Sequence, residues 1–510
     1  MKIIAAIDVG SYELAMKIYE ISSKGILKEI DHIRKRIELG TDTYNTGKIS
    51  MERVDELCNT LLEFKQIMKS YKVDGVKLCG TSAIRETKNT YIVLEQIKLR
   101  TGLDVDVLSN SEQRFMHLKA VASKGEKFEE MISQGAAIID IGGGSIQVSI
   151  FDEGHLKITQ NVRLGILRVR EILADLAAKT TDYASLVSEL VDNHFYNFNE
   201  LFGSKKKIDN VIIVDDYISY IIQRAFGKDL ITTEELKRFI KEVREEKPSE
   251  LARKYGLSEE YASFLVPSAI LVRKLVKLEG ASKIWAPGVG LADGIAYDYA
   301  QNEKLFKNSH DFEADVIACA HEVARRYRSN EERSALVERI SLKLFDETRK
   351  IHGLTKRDRL LLRLAAILAD SGKYMSLEDA AECSYVIIMA SEMIGLSHAE
   401  REIVANIVKF NKANFEYYEE LAKDTLIDRN AYLVLSKLTA LFRVADGICR
   451  SSRAKIKDIS VNIKESELVI NADCDETLIL ERGFFDRKAE FFEEVFSVKP
   501  VLKHKKKNHG

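Results

Sequence analysis

Ala136-Ala137-Ile138-Ile139-Asp140-Ile141-Gly142-Gly143-Gly144-Ser145 is the stretch that decides the fold. An apolar run, a carboxylate, three consecutive glycines and a serine read as a buried strand entering a tight turn. The alternating stretch Ile146 to Phe151 predicts a second strand after it. Glycine permits positive φ and close approach, so such a turn can aim backbone N–H groups at an anion. A related copy opens the chain, where the apolar, β-branched run Lys2 to Val9 leads into Asp8-Val9-Gly10-Ser11. The two form an internal repeat with a period near the size of a domain.

Between the copies, Met51 to Tyr71 and Thr90 to Thr101 have helical spacing, and Gly75 to Cys79 reads as a strand, the alternation of an α/β domain. From Asp311 to about Leu421 the pattern becomes long amphipathic helices, such as Asp311 to Arg328 and Glu332 to His352. Only four prolines interrupt the chain. Ile459 to Leu468 and Leu478 to Leu480 predict a small terminal hairpin or sheet, and the basic segment Lys503-His504-Lys505-Lys506-Lys507 reads as a frayed end.

The length of 510 residues predicts roughly three or four units. Lys and Arg total 77 against 79 for Asp and Glu, so no global positive field marks a dedicated nucleic-acid binder, and any anion site must be local. Lys205-Lys206-Lys207 and the C-terminal lysines read as solvated charge. The six cysteines include no C-x-x-C pair, which argues against a zinc site or disulfide scaffold and for free thiols in a reducing compartment. The apolar N-terminus reaches Asp8 too soon for a signal sequence or a membrane span. The expectation is a soluble, cytoplasmic protein. A carboxylate just before a glycine turn can hold Mg²⁺ or its water shell against phosphate, which makes Asp8 and Asp140 candidate metal ligands.

Asp8-Val9-Gly10-Ser11, Gly80-Thr81-Ser82-Ala83-Ile84-Arg85-Glu86, Ser111-Glu112-Gln113-Arg114, Asp140 to Ser145 and Arg163-Leu164-Gly165 occur in one order and spacing. In this the chain resembles the exopolyphosphatase/guanosine-pentaphosphate phosphatase (Ppx/GppA) family. The resemblance implies an α/β fold of two RNase-H-like lobes of actin/Hsp70 type facing each other across a cleft. An all-helical HD-like domain and a small C-terminal α+β segment follow, with bounds 1–120, 121–304, 305–455 and 456–510. It implies hydrolysis of a terminal phosphoanhydride in polyphosphate or guanosine pentaphosphate, with guanosine tetraphosphate as a related ligand, by a homodimer. Glu112 would orient or deprotonate the attacking water, and Arg85 would grip phosphate with its planar fork. Gly10, Ser11, Thr81, Ser82, Gly142, Gly143, Gly144 and Ser145 would cradle phosphate, with Mg²⁺ or Mn²⁺ at Asp8 and Asp140.

The chain departs from the family pattern at several of these positions. Tyr12-Glu13 stands where Asn-Ser is usual, Ile146-Gln147 where Thr-Glu is usual, and Ala292-Asp293 where Arg-Glu is usual. After the strand Asn210 to Val214, Asp215-Asp216-Tyr217-Ile218 replaces a glycine-rich loop. Two like charges at about 4 Å repel by roughly 4 kcal/mol at an effective dielectric near 20, which opposes phosphate entry. In the HD-like region Ala369-Asp370 replaces His-Asp, while Arg333, Ala381 and Cys383 stand where further histidines belong, so that module reads as structural, a dimerisation or chain-guiding surface. His321 and His352 lie at non-ligand spacing. Two readings follow: a hydrolase of the exopolyphosphatase type, or a catalytically weakened polyphosphate- or alarmone-binding regulatory protein.

Overall fold

The structure, a computed structural model, describes the whole chain except residues 1, 23–25, 178, 180–181, 203–207, 215–217, 258, 307–309, 450–454, 465 and 506–510. The carboxylates Asp215 and Asp216 and the lysines 205–207, 506 and 507 therefore lie outside the described residues. The chain divides into two compact units, Met1–Asp315 and Val316–Gly510.

The first unit holds two sheets. One is built from β1 (Lys2–Val9), β2 (Glu13–Ile21), β3 (Leu27–Arg36), β4 (Gly75–Gly80) and β5 (Asp106–Val107), in the order β3-β2-β1-β4-β5. The other is built from β6 (Ala136–Ile141), β7 (Ile146–Asp152), β8 (His155–Val162), β9 (Asn210–Val214), β10 (Leu230–Thr232) and β11 (Lys283–Trp285), in the order β10-β11-β9-β6-β7-β8. In each, the strand that ends in the Asp–Gly turn is central. β1 pairs antiparallel with β2 and parallel with β4, and β6 pairs antiparallel with β7 and parallel with β9. The sequence repeat is thus a repeat of topology. Ligands of open α/β sheets collect beyond the carboxyl ends of such strands, where both turns lie.

Side chains alternate across β1 with the period of a strand. Ala5, Ile7 and Val9 pack with Leu57, Leu61 and Phe64 of helix Met51–Ser70. Ile4 and Ala6 meet Ile295 and Ala296 of helix Leu291–Asn302, so the end of this unit returns to the first sheet. That helix lies so close to helix Asn110–Ala122 that a Cβ on Gly294 would stand 1.8 Å from the Met116 carbonyl oxygen. β6 is buried along its whole length, which its unbroken apolar run requires.

The second unit is helical over most of its length, with helices Glu331–Glu347, Lys356–Leu368, Ala380–Ala390, His398–Phe410, Arg429–Ile448 and Ile479–Phe496. Its sheet pairs β12 (Ile456–Lys464) antiparallel with β13 (Glu467–Cys474), so the stretch Ile459 to Leu468, expected as one strand, is divided between two. Leu478 to Leu480 is no strand but the start of the last helix, and β14 (Lys499–Lys505) pairs parallel with β13, so Lys503, His504 and Lys505 of the basic segment expected to fray belong to a strand. Among the described residues no helix is long and apolar enough to cross a membrane.

Candidate functional site

Both turns close in the same way. The Gly10 N–H donates to the Glu13 carbonyl at 3.0 Å, and the Gly142 N–H to the Ser145 carbonyl at 2.9 Å. Behind the second turn, Gly165 of the Arg163-Leu164-Gly165 segment packs so tightly that a Cβ there would stand 2.3 Å from the Gly143 carbonyl oxygen. The N–H groups of Gly143 and Gly144 donate no hydrogen bond among the described residues.

A cavity of about 260 Å³ brings the turns together: Asp8, Gly10, Ser11, Asp140, Gly142 and Gly143 all line it. A second, polar cavity of about 430 Å³ adjoins it, lined by Gly142 to Ser145 and by Arg85, Arg114, Arg163 and Arg168. Ser82, Gln113, Gly142 and Gly143 belong to both walls, and Thr81 lines the first.

Asp140 does not face this space as an open ligand. Its carboxylate meets Arg114 Nη1 at 2.5 Å and His117 Nδ1 at 2.5 Å, and the residue is only 5% exposed. Burial pushes the carboxyl pKa up, but Arg114 and His117 outweigh it and hold it below the ordinary value. Arg114 also donates Nη2 to Ser145 Oγ at 2.8 Å, so one guanidinium clamps both ends of the glycine turn. Gln147, paired with Asp140 across β6 and β7, donates its amide to Thr159 Oγ1 at 2.5 Å.

Glu112, the glutamate expected as base, is bound into its own helix start. Glu112 is the third residue of helix Asn110–Ala122 and closes a capping box, its carboxylate accepting the Ser109 N–H at 2.9 Å while its own N–H donates to Ser109 Oγ at 3.2 Å. It lines neither cavity. The next residue, about 100° further round the helix, is Gln113, which lines both. Arg85 reaches the second cavity but spends donors on the Leu108 carbonyl and Asn110 Oδ1, each at 2.6 Å. Ser11, Ser82 and Tyr44 join their hydroxyls in a ring of contacts of 2.8 to 2.9 Å, and Thr81 donates to the Val9 carbonyl at 3.2 Å.

The altered positions are also built in. Tyr12 is buried in the core of the second sheet. Asp293 accepts from the Gly290 N–H at 2.8 Å, from Lys17 at 2.9 Å and from the Tyr19 hydroxyl at 2.8 Å. A carboxylate of the chain itself thus satisfies the later glycine turn, and Lys17 is held between Asp293 and Glu29. The described residues offer no all-protein cage for Mg²⁺ or Mn²⁺, while membership of the family supports a divalent cation, which would take further ligands from phosphate and water beside Asp8. Asp140 is ion-paired with Arg114 through one oxygen and hydrogen-bonded to His117 through the other, and among the described residues no group of three or more His, Cys, Asp or Glu side chains is placed to hold a metal.

In the second unit a buried guanidinium likewise neutralises carboxylates. Arg333 meets Asp370 at 3.0 Å and Asp446 more closely, with Lys488 on the other Asp446 oxygen and Lys373 at 2.8 Å from Asp370.

Sequence reasoning quoted Arg114 without giving it a role, and it missed His117 and Tyr44. Arg114 and His117 are three apart on one helix, a spacing that puts both on one face.

Two sheets of matching topology, with a glycine turn of each lining one cavity, define a protein of the two-sheet α/β class. The chain belongs to the Ppx/GppA phosphatase family, whose model matches residues 17–303, while the model of that family's domain III matches residues 317–486. It is 20% identical over 502 residues to a guanosine-5'-triphosphate,3'-diphosphate pyrophosphatase of Aeromonas hydrophila, covering 94% of this chain and 93% of that protein. It is 26% identical over 173 residues to exopolyphosphatase 1 of Mycobacterium tuberculosis, covering 34% of this chain and 49% of that protein. Among solved structures, the Ppx/GppA family member of Aquifex aeolicus matches with a TM-score of 0.50 at 21% identity, covering 59% of this chain and 99% of that one. An exopolyphosphatase of Cytophaga hutchinsonii matches with a TM-score of 0.50 at 18% identity, covering 60% of this chain and 100% of that one. These two likenesses carry the fold alone.

Proposed function

We propose that this chain is a phosphoanion-binding member of its phosphatase family in which turnover is strongly reduced. Its ligand in this reading is inorganic polyphosphate or the phosphate tail of guanosine pentaphosphate or tetraphosphate. The observation that carries the reading is the engagement of Asp140: the carboxylate at the turn is neutralised by Arg114 and His117, while Gln113 faces the cavities where a water-orienting carboxylate would be needed. Binding is retained because the amides of Gly143 and Gly144 stand beside Arg163 and Arg168, neither of which makes an ion pair among the described residues. A divalent cation reaches the cleft as part of the phosphate tail it neutralises rather than as a resident ion.

In the same reading the two sheets are RNase-H-like lobes of actin/Hsp70 type, the second unit carries a degenerate HD-like module, and the protein works in the cytoplasm as a homodimer. Light scattering on the purified chain tests the last point.

The second reading is a working exopolyphosphatase-type hydrolase with Glu112 and Arg85 as its catalytic groups and Mg²⁺ near Asp8. Family membership and the position of Asp8 in the same cavity as Asp140 favour it.

Calorimetric titration with polyphosphate and with both guanosine polyphosphates, beside a phosphate-release assay with Mg²⁺ or Mn²⁺, separates the two. Binding that weakens at least about tenfold in Arg168→Ala, with release near background, supports the first. Rapid release that Glu112→Ala abolishes supports the second, and absence of heat with all three ligands removes the first.

A further inference from the structure

Away from the cleft, helices Thr233–Glu245 and Leu265–Glu279 pack side by side and leave a groove of about 780 Å³. Its floor is apolar, formed by Leu236, Ile240, Val276 and Ala281. Its rim is cationic. Lys237, Lys241 and Arg244 follow each other on one helix at steps of four and three, inside an arc of about 60°. Arg273 and Lys277 repeat the four-residue step on the other helix, and Glu245 is the one acidic lining residue. All five cations are exposed. Arg244, Arg273 and Lys277 make no ion pair among the described residues. Lys237 and Lys241 touch Glu234 and Glu245 of their own helix in exposed pairs that contribute little and exchange readily.

We propose that this groove docks an acidic amphipathic helix of a partner protein. The floor and the rim must be explained together. A phosphate chain or nucleic acid would use the rim and gain nothing from the floor, whereas an apolar helix would use the floor and leave five charges unanswered. A helix with leucine-type side chains on one face and carboxylates on both flanks answers both at once, which is the helix-in-groove mode of recognition. The 13-residue helix Thr233–Glu245 runs about 20 Å, so three to four turns of partner helix lie along the groove. The site is separate from the phosphate cavities and shares no lining residue with them.

The test uses the full chain and a fluorescein-labelled helical peptide of about 16 residues, leucine at one-face spacing and glutamate flanking it, read by fluorescence anisotropy at low salt. The expected result is saturable binding that weakens at least about tenfold in Lys241→Glu/Arg273→Glu, whose fold is checked by circular dichroism, and at least about tenfold with a scrambled peptide of the same composition. The proposal is overturned by absent binding, by equal binding of the scrambled peptide, or by an affinity the double variant leaves unchanged. It is equally overturned if inorganic polyphosphate of matched charge binds the groove as tightly, or if light scattering shows that the same two substitutions dissolve a dimer, which would make the occupant a second copy.

Discussion

The ring of Tyr12 stands edge-on to that of Phe264, with centroids 5.8 Å apart and planes at 87°. Tyr12 belongs to the turn that follows β1, while Phe264 belongs to the core of the second sheet, so an aromatic peg from one sheet is seated in the other. Where small polar groups would leave room for an anion, a ring now fastens the cleft wall, and Arg36 lies over it at 5.4 Å. Tyr12→Ala is expected to lower stability by about 3 kcal/mol, the combined loss of aromatic burial and of the edge contact. Urea denaturation of the variant beside the parent chain checks this, and a change below about 1 kcal/mol would show that the peg does not hold the two cores together.

Glu112 makes a sharper case, because its geometry assigns it to the backbone. Replacing it by Ala removes the side-chain half of the capping box and is expected to cost about 1 kcal/mol of stability. Affinity for a phosphoanion is expected to stay within about twofold, since the carboxylate lines neither cavity. Gln113→Ala, by contrast, alters the wall that both cavities share, so the two neighbouring variants should part in calorimetry: the first moves melting and spares binding, the second moves binding.

The repeat of Asp–Gly turns was legible because it is local: each strand, carboxylate and glycine set sits within ten residues, and a buried strand needs nothing but its own apolar run. The meeting of Asp8 and Asp140 in one cavity followed from matching the two copies. What the residues did not disclose is which neighbours neutralise them. Arg114 and His117 reach Asp140 only because helix Asn110–Ala122 crosses beneath the turn, a tertiary fact. The capping role of Glu112 had a readable signal, since Ser109-Asn110-Ser111-Glu112 is a capping-box sequence and a glutamate so placed folds back on its own helix start. Leu478 to Leu480 misled for the opposite reason: a three-residue alternation cannot distinguish a strand from a helix whose packing lies further along.

His32, on the wall of the first cavity, supplies a pH dependence. Burial and then the charges of Arg34 and Lys17 lower its pKa from 6.5 to about 4, and its Nε2 accepts a hydrogen bond from Arg34 Nε at 3.0 Å. The folded state therefore holds the neutral ring while the unfolded chain takes up a proton near 6.5. A depressed folded pKa contributes stability that is complete above pH 6.5 and is lost as pH falls towards 4. His32→Gln is expected to melt with a flatter pH profile across that window than the parent. Parallel profiles for the two proteins would exclude His32 as the titrating group.

Arg333 shows how far one guanidinium stabilises a pair of buried carboxylates in the second unit. Asp370 and Asp446, 8% and 2% exposed, come from different helical segments and converge on this one guanidinium. Burial alone would drive the Asp446 carboxyl upward, yet Lys488 and Arg333 hold it well below the ordinary carboxylate range. Arg333→Ala leaves two buried carboxylates facing each other with Lys373 and Lys488 at their outer edges, so about 3–5 kcal/mol of stability should be lost. Arg333→Met should lose a similar amount, because restoring the volume does not restore the charge. The sign of the pH effect follows from the depressed folded pKa. The contribution is complete above the unfolded carboxyl value and fades as pH falls through the folded one, so variant and parent should converge in acid. Urea titrations at neutral pH and near pH 3, read by far-ultraviolet circular dichroism, measure both. A variant as stable as the parent at neutral pH would show that the carboxylates are satisfied without Arg333.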